Sequence, residues 1–182
     1  MKVQQAACDA LFNIIKIVKE AILKDKQIFL RIFDAVIDLI YDYHNEMKEW
    51  AKSVDDLLKN QVYTALSKSY PFDLEALINH ISEKLKVTPN SEVIIVLIKW
   101  LEVLHSIQNV NILPSVPKFL EKLLINIESK NNVNQKSEVS KKSLEQLQMF
   151  IDEFHNPMAR SVKLDKQIIN KLLLFLLKDK EL

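Results

Sequence analysis

Apolar residues recur at spacings of three and four along most of the chain. In "KVQQAACDALFNIIK", Val3, Ala7, Ala10, Leu11 and Ile14 gather on one helical face. The same period predicts helices over residues 2–19, 27–41, 46–62, 72–87, 91–108, 115–128, 138–155 and 165–178. Between them lie "YDYHN", "SKSYPF", "VTPNS", "NVNILPS", "SKNNVNQKS" and "HNPMARSVK", built from residues that stop and start helices. Asp73 after Pro71, Ser91 or Asn90, and Ser115 ahead of Pro117 are the candidate helix caps. "SKNNVNQKS", with Val133 its one apolar residue, reads as a solvated turn.

The pattern also repeats at long range. "KVQQAACDALFNIIK", "EMKEWAKSVDDLLKN", "EVIIVLIKWLEVLHS" and "EVSKKSLEQLQMFID" align on Val3, Met47, Val93 and Val139, at intervals of 44, 46 and 46 residues. Four residues on stand Ala7, Ala51, Leu97 and Ser143, and eleven on stand Ile14, Leu58, Leu104 and Phe150. One further helix lies between consecutive copies. Two helices per unit of about 40–47 residues is the signature of HEAT or armadillo repeats. A four-helix bundle imposes no such constant register.

The expected fold is therefore all-α, a HEAT/armadillo-like α-solenoid of about four helix pairs forming a single array over residues 1–182. Residues 2–19 are the second helix of a truncated repeat, 27–62, 72–108 and 115–155 are helix pairs, and 165–178 is the first helix of a following repeat. Each repeat buries its apolar face on its neighbours, and array ends need polar caps. Neither end here looks capped, which suits either a slice of a longer array or self-association through the ends.

Composition sharpens this picture. Glycine is absent, which removes tight hairpins, P-loops and dinucleotide fingerprints. Helices tolerate the lack, because Asn can take the left-handed position past a helix end. Lys+Arg 25 against Asp+Glu 24 leaves a net charge of +1, too little to steer nucleic acid. Arg31 and Arg160 are the only arginines, a poor inventory for bidentate phosphate reading. A lone cysteine, Cys8, excludes a disulfide framework. No signal peptide is visible and no window reaches the ~18 apolar residues of a spanning helix, so a soluble, cytoplasmic protein is expected.

The ordered run "ACDALFNIIKIVKEAIL", "IFDAVIDLI", "SVDDLLKNQV", "FDLEALINHISEKLK" and "VLIKWLEVLHSIQNVNILPSVPKFLEKLL" resembles the N-terminal HEAT repeats of the Vac-fourteen family of vacuole-morphology scaffolds over residues 2–155. The resemblance implies a non-enzymatic scaffold with no cofactor. Such scaffolds hold a PIKfyve/Fab-type phosphatidylinositol 3-phosphate 5-kinase together with an opposing lipid phosphatase, in phosphatidylinositol 3,5-bisphosphate metabolism. It further implies peripheral association with endolysosomal or vacuolar membranes through that complex, with the N-terminal repeats at the kinase. The chain departs from the family in lacking helix-ending glycines and Asp-Pro character around Tyr43–Glu46. "SKNNVNQKS" reads as an insertion, and the C-terminal region linked with self-association and phosphatase binding is not recognisable.

Candidate chemistry is sparse. His44, His80, His105 and His155 form no metal-ligand spacing. Cys8 lies among small residues and suits packing better than nucleophilic attack. Asp55 and Asp56 are adjacent on a helix and point about 100° apart, so a structural ion pair fits Asp55 better than acid–base work. Trp50 and Trp100 suit inter-helix packing.

A scaffold acts through a surface. Second helices line the concave side of such arrays. Positions six, nine and thirteen of each copy give Asp9, Ser53, Lys99 and Glu145; Phe12, Asp56, Glu102 and Gln148; and Lys16, Asn60, Ser106 and Asp152. Phe12, Lys16, Asp56, Asn60, Lys99, Glu102 and Ser106 are the candidate partner-binding residues. Two other classes stand beside the kinase scaffold: a helical-repeat adaptor in trafficking, nuclear transport or phosphatase assembly, and a small all-α enzyme, which needs a pocket of convergent ionisable groups.

Overall fold

A computed structural model describes residues 2–41, 45–128 and 137–155. All regular structure among them is helical, as the period of the sequence requires. The α-helices are α1 (Lys2–Ile17), α2 (Lys19–Lys24), α3 (Lys26–Tyr41), α4 (Asn45–Ser67), α5 (Leu74–Val87), α6 (Ser91–His105), α7 (Leu120–Glu128) and α8 (Glu138–His155), with a 3₁₀ segment at Leu113–Lys118 before α7. The segment expected at 165–178 lies outside the described residues, as do residues 129–136 of the expected loop.

The chain divides into two compact units, Met1–His80 with Val103–Val110, and Ile81–Glu102 with Asn111–Leu182. In the first, α3 and α4 pack as a helix pair, and α1 and α2 also lie against α4. Helix α3 buries Phe29, Phe33, Val36, Ile37 and Ile40, a stripe at helical spacing. Each such side chain contributes roughly 1.5–3 kcal/mol on burial. Phe29 stacks with Phe33 and meets Phe72 edge-on at 5.1 Å. His80, half-buried, places Nε2 2.6 Å from Asp34 Oδ1, and its ring meets the edge of Phe33. In the second unit α7 pairs with α8. Phe119 and Phe150 lie 5.6 Å apart there, both buried, and Trp100 is fully buried in the same unit.

Local chemistry sets the boundaries. Asp73 Oδ1 accepts the Ala76 amide at 2.9 Å at the start of α5. Asn90, rather than Ser91, caps α6 by accepting from Glu92 and Val93. The start expected at Ser115 is instead the 3₁₀ segment holding Pro114 and Pro117, with Asn111 accepting the Leu113 amide. Two prolines so close cannot both sit inside an α-helix, so α7 begins only at Leu120. The expected gap after residue 19 is also filled. α2 continues α1 past a bend at Val18, because "KEAILK" is made of helix formers whose Ile22 and Leu23 are buried. Asp25 then ends α2 in extended conformation, and its carboxylate caps α3 through Gln27 and Ile28.

The end of α4 replaces glycine by serine. Ser69 adopts φ 56°, the left-handed region, where Asn was expected to stand in for the missing glycines. The Tyr70 amide bonds to Ala65 O at 2.8 Å and the Ser69 amide to Leu66 O at 3.1 Å. This is the paired bonding of a Schellman end. It carries α4 five residues past the predicted end at 62.

Burial corrects the repeat register in its first copy. Ala51 and Leu58, Leu97 and Leu104, and Ser143 and Phe150 are buried in α4, α6 and α8. In α1 the matching buried pair is Cys8 and Ile15, while Ile14 is 52% exposed. The first copy is therefore read from residue 4 rather than Val3, and its interval to the second is 43 rather than 44 residues. An Ile-Ile pair supplies an apolar side chain in either register, which is why sequence alignment alone slipped.

Candidate functional site

The groove that brings predicted residues together lies in the first unit. Lys16 at the end of α1 and Lys19, Glu20 and Leu23 of α2 recur at helical spacing. They face a second stripe formed by Leu57, Asn60, Gln61, Thr64 and Ala65 of α4 and by Lys68 just past its end. Lys24, Tyr70 and Pro71 complete a cleft of about 300 Å³.

Each part has a local cause. The bend at Val18 starts α2 and with it the turn bearing Lys19 and Leu23. The extension of α4 carries Thr64 and Ala65, and the turn through Lys68 and Ser69 sets Tyr70 at the groove's end. Gln61 is buried and donates from Nε2 to Ile15 O at 3.0 Å, which ties α4 to α1. The rim is cationic: Lys16, Lys19, Lys24 and Lys68 are exposed, against the single carboxylate of Glu20. None of the four lysines forms an ion pair with a described residue.

A second cleft of about 350 Å³ shares Leu23, Lys24 and Pro71 and is lined further by Phe29, Phe72 and Leu77. Lys26 pairs with Asp73 at 3.3 Å across its lining, so its charge is locally matched.

Of the candidate residues, Lys16 and Asn60 meet in the lysine-rimmed groove. Asp56 is exposed on α4, 3.8 Å from Lys59 Nζ. Phe12 is half-buried, and in the corrected register it shares its column with Asp55, Leu101 and Leu147 rather than with Asp56 and Glu102. Lys99 is exposed on α6, while Glu102 accepts an ion pair from Lys142 at 3.5 Å. Ser106 turns its hydroxyl back to Val103 O at 2.7 Å. Sequence reasoning missed Lys19, Lys24 and Lys68. The signal was present in the spacing 57, 60, 61, 64, 65, 68, but it runs past the predicted end of the helix.

Other candidate chemistry resolves into structure. Asp55 pairs with Lys59 one turn on along α4, and both are buried. Cys8 is buried, its thiol pushed up by desolvation and by the Asp9 carboxylate. Among the described residues no group of His, Cys, Asp and Glu could hold a metal ion. No described helix is long and apolar enough to cross a membrane.

Comparison with known proteins agrees with the resemblance read from the residues. Residues 1–60 match the family model described as the Vacuolar 14 Fab1-binding region. The chain is 29% identical over 164 residues to the protein VAC14 homolog of Arabidopsis thaliana. That alignment covers 90% of this chain and 20% of the relative, so the chain spans about a fifth of the relative's length. No solved structure matches. The chain is Vac14-like.

Proposed function

We propose that this chain is a non-enzymatic HEAT-repeat scaffold that binds a Fab1-type lipid kinase through its N-terminal helices. The observation that carries the reading is the match of residues 1–60 to a Fab1-binding region. The paired helices α3–α4 and α7–α8 support it, as does a groove built from α1, α2 and α4 on the stretch containing most of that match. Helical repeats bind through the side chains their second helices present, and α1, α4, α6 and α8 are the second helices here.

The full reading places the kinase with an opposing lipid phosphatase in phosphatidylinositol 3,5-bisphosphate metabolism, peripheral on vacuolar or endolysosomal membranes. Residues 1–182 act in it as one array, with Lys16, Asp56, Asn60, Lys99, Glu102 and Ser106 on the partner-binding face, the half-buried Phe12 at its edge, and self-association as a further contact. The test is affinity purification of the tagged protein from its own cells. The lipid kinase is expected among the partners, and recovery of other partners alone rejects the reading. Joint substitution of Phe12, Lys99 and Glu102 by alanine is expected to weaken kinase recovery, and undiminished recovery removes that face from the interface.

A further inference from the structure

We infer that the groove between α1–α2 and α4 receives an acidic, amphipathic peptide segment of a protein partner. This deepens the scaffold reading and rests on it only in taking the partner to be a protein.

Charge is the first reason. Four lysines against Glu20 leave three uncompensated positive charges on one short groove, in a chain whose net charge is +1. Lys26, Lys52, Lys59 and Lys142 all pair with carboxylates, whereas the four groove lysines pair with none of the described residues. Exposed cations gathered along one groove raise the local positive potential, which favours an anionic occupant.

Shape and polarity are the second reason. From Leu57 to Lys68 the α4 wall runs about 17 Å at ~1.5 Å per residue. A single phosphate or headgroup occupies one end of such a trough, whereas about eleven helical or about five extended residues fill it. The lining is amphipathic: Leu23 and Ala65 are buried at the floor, and Tyr70 is 43% exposed at the end. Ile17, 79% exposed, and Val18 stand in sequence between Lys16 and Lys19. An acidic helix with one apolar face satisfies both features, in the manner of helix-in-groove recognition. The rim holds lysines and no arginine, so nothing in it provides the planar fork that reads phosphate bidentately.

The test uses the whole chain and a fluorescein-labelled amphipathic helix of about eleven residues, leucines on one face and glutamates on the other, read by anisotropy. Binding is expected and should weaken as salt rises from about 0.05 to 0.5 M. Joint replacement Lys16→Gln, Lys19→Gln, Lys24→Gln and Lys68→Gln should weaken it at least about tenfold, with unchanged circular dichroism. Lys86→Gln with Lys122→Gln, outside the groove, should leave it unaltered. No binding of the glutamate peptide, equal binding of its lysine counterpart, or equal loss in the control overturns the inference. So does a preference for phosphatidylcholine vesicles carrying bisphosphorylated phosphatidylinositol, lost in the same fourfold variant, which assigns the groove to lipid. Peptide binding without lipid-kinase recovery keeps the groove and removes the kinase reading. Kinase recovery without peptide binding does the reverse.

Discussion

Gln61 reaches from α4 to donate its amide to the carbonyl of Ile15 at 3.0 Å, and the Ile15 side chain is completely buried. The contact fixes which face of α1 is inside. Ile14, its neighbour, is 52% exposed. Ile15→Ala is expected to destabilise the protein by about 2–5 kcal/mol, and Ile14→Ala by no more than about 0.5 kcal/mol. Urea unfolding of the two variants checks this. Equal costs would return α1 to the register counted from Val3.

Ser69 holds a backbone conformation that glycine adopts without steric cost. Ser69→Gly is expected to raise stability, by an amount on the order of 0.5–1 kcal/mol after the added freedom of the unfolded chain is subtracted. The measurement is the shift in thermal midpoint. A loss of stability would mean the hydroxyl makes an interaction worth more than the strain.

Asp55 and Lys59 carry opposite charges inside a layer where the equivalents of Asp55 are Leu101 and Leu147. Removing one partner strands the other. Asp55→Ala alone should cost about 3–5 kcal/mol, whereas Asp55→Leu with Lys59→Met should be near neutral or stabilising. A double-mutant cycle by urea unfolding separates the two, and additive losses would show that the pair is not coupled.

Asp73 caps α5. The Ala76 amide holds its carboxyl below the ordinary carboxylate value; burial opposes this, and the Lys26 ammonium adds to the lowering. A depressed folded value makes the cap's contribution present above the unfolded value near ~3.9 and lost as pH falls through the folded one. Asp73→Ala should therefore cost about 1 kcal/mol at neutral pH. The gap from wild type should close as acid is added below about pH 4. Parallel unfolding curves at neutral and acid pH test it, and a constant gap would assign the cost to packing.

Much of this was legible beforehand for a physical reason. A helix has one period, and the stripe Phe29, Phe33, Val36, Ile37 and Ile40 announces it without reference to any neighbour. Asp73 and Asn90 act within three residues of their own position, so their caps could be read locally. Absent glycine excluded phosphate loops on the same local grounds.

The sequence alone thus determined the all-α class, because helix period and missing glycine are short-range properties, and its ordered run of segments carried the resemblance that pointed to a scaffold. Tertiary structure alone decided that Ile15 rather than Ile14 turns inward, that α4 runs on to Ser67, and that Lys16, Lys19, Lys24 and Lys68 converge on one groove. Those outcomes depend on which neighbour covers which face. Residues 16 and 68 lie far apart along the chain, and only the packing of α1 and α2 on α4 makes their charges one site.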